Sequence, residues 1–139
     1  MMVDTSRTYL GNHNLKAPGV RQEFTKEQIT EYLKCSKDPL YFISTYMKII
    51  TLDHGLQQFN PWEFQQKLIK TIDDNRFVIC KFPRQTGKST CVIAYLLHHV
   101  LFNPDVKIAI LANKQATARE LLHRLKLAYE NLPKWIQQG

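Results

Sequence analysis

The chain has 139 residues, of which 44% are hydrophobic and 22% are charged, and this composition excludes a disordered or collagen-like chain. Lysine and arginine number 19 against 12 aspartates and glutamates, so the formal net charge of +7 favours acidic partners such as phosphates or nucleic acid. The three cysteines, Cys35, Cys80 and Cys91, form no CxxC pair, which excludes a disulfide framework and predicts a reducing compartment. Because no apolar run is long enough to span a bilayer, we expect a soluble protein without a membrane segment.

The N-terminal part is predicted to be an arm followed by helices. Residues 1–23 show no sustained hydrophobic period, so we expect an irregular arm there and one ordered domain over residues 24–139. Thr25 and Gln28 have the spacing of a capping box and predict a short helix after Thr25. Asp38 and Pro39 predict a second helix that runs to about Met47, because Asp caps helices and Pro suits the first helical position.

A hairpin and a third helix are predicted next. Residues 48–59 indicate a small hairpin or an extended crossing segment, since two short runs flank the turn-like residues 53–55. Asn60 and Pro61 then predict the start of a helix that ends near Asp73. Its apolar side chains, Trp62 and Ile69 among them, are expected on the inner side.

The second half of the chain alternates strand-like and helix-like segments. Residues 77–82 and 106–111 are short, nearly continuous apolar runs, which suit strands of a parallel sheet covered on both faces. Residues 87–102 are apolar almost all the way round and predict a buried helix between the two strands. A further helix follows, with Arg119, Arg124 and Lys126 on a basic outer face that suits either solvent or a phosphate backbone. The order predicts a βαβ unit, and hence an α/β fold with a parallel sheet flanked by helices.

A loop between the first of these strands and the buried helix points to specific chemistry. It consists of Pro83-Arg84-Gln85-Thr86-Gly87-Lys88-Ser89-Thr90. A tight turn that leads into a helix N-terminus offers convergent backbone N–H donors to a polyphosphate, and Gly87 allows the close approach. Lys88 is expected to reach the β- and γ-phosphates, and Ser89 to place its hydroxyl on Mg²⁺. Thr90 is better interpreted as support for the helix.

The match to the standard pattern G-x-x-x-x-G-K-[ST] is partial, because Phe82 stands where the first glycine is expected. The position after a buried strand and at the start of a buried helix restores much of the specificity. The alternative is a glycine-containing turn with a solvent-facing Lys88. Two roles stay open for Arg84: stabilisation of transition-state charge at the γ-phosphate, or support of the loop through backbone carbonyls.

These loop residues resemble the deviant Walker A loop of large terminase subunits, the DNA-packaging motors of tailed bacteriophages. The resemblance extends from about Phe24 to Gly139 and is closest to terminases of T-even-like and cyanophage-type myoviruses. In that family the loop arginine is implicated in coupling nucleotide binding to hydrolysis, and it falls on Arg84. The resemblance implies that Arg84 and Lys88 are catalytic, that Ser89 holds the metal, and that the nucleotide-binding set also includes Gln85, Thr86, Gly87 and Thr90.

The family also has an adenine-recognition segment around an aromatic-Gln pair, similar to the helicase Q motif. This pair falls on Phe64 and Gln65. The amide of a glutamine can offer a donor and an acceptor together to the edge of adenine. Trp62 departs from the family pattern, in which a basic residue is expected at that position. A solvated helix position is the alternative for Gln65.

The resemblance implies a P-loop NTPase that binds ATP and Mg²⁺ and powers the packaging of double-stranded DNA into procapsids. Its implied partners are double-stranded DNA, the portal and the small terminase subunit, in a ring that assembles in the host cytoplasm at the procapsid portal. After Gly87 the only carboxylates are Asp105, Glu120 and Glu130, and none follows a buried strand. We therefore expect the chain to be the N-terminal part of the motor, with the Walker B region and the nuclease domain beyond Gly139.

Two alternatives share the loop with this interpretation. A helicase-like P-loop ATPase fragment would also use Gln65 but would have different downstream motifs. A catalytically silent fragment would bind nucleotide or DNA through its positive charge without turnover.

Overall fold

Helices dominate the part of the chain that the structure describes. The computed structural model describes residues 8–9, 12–16, 23–51, 53, 55–83 and 87–137. Over these ranges it has five α-helices and two antiparallel sheets of two strands each, which makes the fold mixed α/β. The sequence predicts this class correctly.

Two short helices near the N-terminus begin at the predicted caps. In α1 (Lys26–Lys37) the capping box is present: the backbone N–H of Gln28 donates to Thr25 Oγ1 at 3.2 Å, and the backbone N–H of Thr25 donates to Gln28 Oε1 at 3.0 Å. α2 (Pro39–Tyr46) begins after Asp38, whose carboxylate accepts from the backbone N–H of Tyr41 at 3.3 Å. Each cap satisfies a backbone donor that has no partner within its helix, so both predicted helix starts are confirmed.

The segment after α2 is a hairpin, which decides between the two predicted possibilities. β3 (Lys48–Thr51) pairs antiparallel with β4 (Gly55–Gln58). Gly55 has a φ of +66°, a left-handed conformation that glycine adopts without a steric penalty. The backbone N–H of Phe59 donates to the carbonyl of Met47 at 3.0 Å and ties the end of the hairpin to the end of α2.

Three longer helices complete the core. They are α3 (Glu63–Asp74), α4 (Lys88–Phe102) and α5 (Gln115–Glu130), and α4 packs against α2, α3 and α5. Leu97 and Leu101 of α4 are buried, and each contributes about 1.5–3 kcal/mol of hydrophobic stabilisation. The N-cap of α3 is Trp62, two residues later than the start predicted from Asn60 and Pro61.

Two extended segments stand where the sequence predicts parallel strands. Residues 77–82 and 106–111 join no β-ladder within the described ranges, so the predicted parallel sheet is not present in this part of the structure. Their exposure alternates along the chain: Val78 and Cys80 are half-buried, whereas Phe77 and Ile79 are 83% and 98% exposed. The prediction that both faces are covered is therefore wrong for these residues. Successive side chains of an extended segment point in opposite directions, and only one side of residues 77–82 lies against the helices.

The predicted irregular arm contains an ordered element that the sequence did not indicate. β1 (Thr8–Tyr9) pairs antiparallel with β2 (Asn12–Lys16). The backbone N–H of Lys16 donates to Oε1 of Gln137 at 3.1 Å, and Gln137 is buried. This contact joins the two ends of the described chain. The other residues of the predicted arm, except Glu23, lie outside the described ranges.

Candidate functional site

Gly87 occupies a position that no other residue fits well. It is the N-cap of α4 and has φ and ψ of 74° and 17°, the left-handed conformation. A Cβ at this position would lie 2.6 Å from Nε2 of Gln65, closer than real Cβ contacts occur. Glycine is therefore required here both by the backbone conformation and by the close approach of Gln65.

Lys88 is the first residue of α4, and its side chain turns back across the loop. Its Nζ donates to the carbonyl oxygen of Phe82 at 3.3 Å, so the ammonium lies over the turn formed by residues 83–87. The one ion pair among the described residues joins Arg124 to Glu120 at 2.8 Å. No described carboxylate therefore neutralises Lys88, and its charge is held beside the loop by a carbonyl alone.

The two hydroxyl residues that follow Lys88 face different cavities. Ser89 is half-buried and lines a cavity of about 230 Å³ together with Lys88, Cys80 and Ile110. Thr90 lines another cavity, of about 500 Å³, between the β3–β4 hairpin and α5. Ser89 is thus placed on the same side of the helix start as Lys88, and Thr90 on the side that packs against the rest of the fold.

Arg84, Gln85 and Thr86 lie outside the described residues. Their predicted contacts with phosphate, and the choice between a catalytic and a supporting role for Arg84, stay predictions. The described residues on either side, Pro83 and Gly87, fix where the loop begins and ends.

Gln65 lies against the loop although the two are 22 positions apart in the sequence (87 − 65). Its side chain is buried, and its Oε1 accepts from the backbone N–H of Trp62 at 2.8 Å. The predicted alternative of a solvated position is therefore wrong for Gln65. Phe64 is only partly exposed, and its ring centroid lies 6.2 Å from that of Phe82 at the start of the loop.

Two residues of this region have roles that sequence reasoning missed. Phe82 was interpreted only as the replacement of a glycine, but its carbonyl accepts from Lys88 and its ring packs near Phe64. Trp62 was expected on the inner side of α3 but is 66% exposed. The available signal was its position next to Asn60 and Pro61, because a residue that close to a helix start need not share the inner face of the helix.

Other polar groups of the core serve packing. His98, which the sequence also assigns to packing, is buried, and its Nε2 lies 2.8 Å from the carbonyl oxygen of Cys35. Burial lowers the pKa of His98, although the hydrogen bond to that carbonyl opposes the shift. The cysteines form no disulfide, as predicted, and burial raises the pKa of the Cys91 thiol to about 11. The thiol therefore stays protonated at neutral pH.

The described residues contain no group of three or more His, Cys, Asp or Glu side chains that could hold a metal ion. Across the same ranges, no helix combines the length and the apolar character needed to cross a bilayer.

No protein-family model matches the chain. Its function is therefore inferred from the chemistry of its own residues.

Proposed function

We propose that the turn before α4 binds the phosphates of a nucleoside triphosphate, with Lys88 as the principal cation. The observation that carries the proposal is the combination at the helix start: Gly87 in the left-handed conformation, and Lys88 turned back onto the carbonyl of Phe82. A turn of this kind leaves the first N–H groups of α4 without helical partners and adds the positive end of the helix dipole. Both features favour an anion at this point.

The residues present fit a triphosphate. The Gly87 position is a cradle that a Cβ would fill, and the ammonium of Lys88 has no described carboxylate beside it. A phosphate oxygen is a stronger acceptor for an ammonium than a neutral carbonyl, because the hydrogen bond is then charged on both sides. The Lys88 side chain is long and flexible, so it can exchange the Phe82 carbonyl for phosphate without movement of α4.

Ser89 is the residue here that would hold Mg²⁺, together with oxygens of the phosphates. Its hydroxyl is at the helix start and on the Lys88 side of α4. An ion bound between phosphates and a hydroxyl neutralises charge on the phosphate oxygens, which strengthens nucleotide binding. The absence of a metal-binding cluster among the described residues agrees with a metal that arrives with the nucleotide rather than alone.

The proposed activity of these residues is binding rather than hydrolysis. Hydrolysis by a P-loop enzyme needs a carboxylate at a strand end to order Mg²⁺. Asp105 lies in the turn after α4, Glu120 is paired with Arg124, and Glu130 is the last residue of α5. None of these carboxylates lines the cavity that contains Lys88 and Ser89.

The wider proposal is that the chain is part of a large terminase subunit with a P-loop NTPase fold, whose ATP-driven motor packages double-stranded DNA. The loop sequence supports it, and so does the position of Phe64 and Gln65 beside the loop. Cys80 and Ile110, from the two extended segments, line one cavity with residues of α4, which suits strands of one sheet. Double-stranded DNA, the portal and the small subunit are the proposed partners, in a ring at the procapsid portal.

The test is the affinity for ATP with Mg²⁺ of the wild type and of Lys88→Ala. Loss of a hydrogen bond between charged groups is expected to weaken binding by about tenfold or more. Lys81→Ala is the matched control, because Lys81 is exposed in the segment before the loop and removes the same charge. Equal affinities of the wild type and Lys88→Ala would reject the assignment of this turn to phosphate.

A further inference from the structure

Three aromatic rings form a row that ends at the phosphate-binding turn. The ring centroids of Trp62 and Phe64 are 5.8 Å apart, and those of Phe64 and Phe82 are 6.2 Å apart. Phe82 directly precedes the turn, and its carbonyl accepts from Lys88. The row therefore runs from the start of α3 to the place where the proposed triphosphate would lie.

The outer end of the row is open to solvent. Trp62 is 66% exposed, and Phe64 is 38% exposed. Trp62 is the N-cap of α3, where residues with a side-chain oxygen are preferred, and its side chain makes no capping hydrogen bond. Helix capping thus gives no reason for a tryptophan here. A large exposed aromatic face beside a phosphate site is the kind of surface on which a nucleobase stacks.

Gln65, the residue expected to recognise adenine, is occupied with holding the site together. Its Oε1 accepts from the backbone N–H of Trp62 at 2.8 Å, and a backbone donor at that point fixes which end of the amide is the oxygen. Its Nε2 is the atom that a Cβ of residue 87 would meet at 2.6 Å. Hydrogen bonding to the edge of adenine needs the donor and the acceptor of the amide together, and this acceptor is engaged within α3.

We infer that the base of the nucleotide is held by stacking on the Trp62 and Phe64 rings, and that the site therefore discriminates weakly between ATP and GTP. The inference rests on the proposed function, because it needs the triphosphate beside Lys88. Gln65 is then a positioning residue: it holds the first turn of α3 and contacts Gly87, so it joins the stacking surface to the phosphate turn. Stacking tolerates any base, because every base has a π-face.

The experiment compares binding of ATP, GTP and inorganic tripolyphosphate, each with Mg²⁺, to the full chain. We expect ATP and GTP to bind within about threefold of each other, and both to bind at least about fivefold more tightly than tripolyphosphate. Trp62→Ala should remove that advantage for both nucleotides and leave tripolyphosphate unchanged, while Trp62→Phe should retain most of it. Phe77→Ala is the matched control, because Phe77 is an equally exposed ring outside the row.

A second variant separates the two roles at the start of α3. Gln65→Leu should weaken tripolyphosphate, ATP and GTP by a common factor and leave the ratio of ATP to GTP affinity unchanged, as a positioning role requires. An ATP preference of more than about tenfold that Gln65→Leu abolishes would overturn the inference, as would nucleotide affinities unaffected by Trp62→Ala. Tripolyphosphate that binds in those cases leaves the proposed function intact. Failure of all three ligands to bind the wild type would reject the proposed function and this inference with it.

Discussion

Replacing Gly87 by alanine tests the contact on which the candidate site depends. The first effect is conformational, since an L-residue in the left-handed region at a φ of 74° costs about 1–2 kcal/mol. The second is steric, since the new Cβ would lie 2.6 Å from Nε2 of Gln65, and the buried amide would have to move. Movement that breaks its hydrogen bond to the backbone of Trp62 costs about 0.5–1.5 kcal/mol more. We expect a total loss of about 2–3 kcal/mol in the free energy of unfolding.

Gly55 provides the matched control for this prediction. Its φ of 66° is similar, but a Cβ there would meet no atom within 4 Å. Gly55→Ala should therefore show only the conformational part, about 1–2 kcal/mol, in urea unfolding followed by circular dichroism. The double variant Gly87→Ala/Gln65→Ala should recover about 1 kcal/mol relative to the sum of its single variants, because the clash is then absent. Equal losses at the two glycines, with additive effects in the cycle, would refute the close contact.

Three further predictions concern protonation and turnover. The pKa of His98 is lowered by burial, so its stabilising effect is complete above the unfolded value of 6.5 and is lost as the pH falls below it and through the folded pKa; urea unfolding should show this loss in the wild type and not in His98→Gln. Hydrogen bonds from Tyr41 and Tyr46 lower the pKa of Glu31, so Glu31→Gln should be less stable than the wild type at neutral pH. That difference should disappear as the pH falls through 4.5 and then the folded pKa, and a difference that persists in acid would contradict it. In a terminase that contains this chain, Arg84→Ala should retain ATP binding and lose turnover, and surviving turnover would make Arg84 structural.

The elements that the sequence predicts well are those whose signals are local. The capping box of Thr25 and Gln28 and the Asp38 cap each satisfy donors within three residues of themselves, and both helices start where predicted. The turn before α4 is local in the same way, because Gly87 and Lys88 are adjacent to the helix that they begin. Such features need no knowledge of distant parts of the chain.

The features that the sequence missed depend on distant partners. The burial of Gln65 and its approach to Gly87 follow from the packing of α3 against α4, which periodicity alone does not define. The contact between Lys16 and Gln137 joins residues 121 positions apart. For residues 77–82, an apolar run predicts burial but cannot tell whether one face or both will be covered, and here Ile79 faces outward.

The hydrogen bond between Lys88 and Phe82 also makes the position of a charge depend on the path of the backbone. Phe82 is the last residue of an extended segment, and its carbonyl oxygen determines where the ammonium rests. A shift of that segment along its own axis would carry the oxygen with it and move the cation relative to the first N–H groups of α4. Mechanical displacement of the segment and the affinity of the turn for an anion are therefore linked quantities, and a change in either one must alter the other.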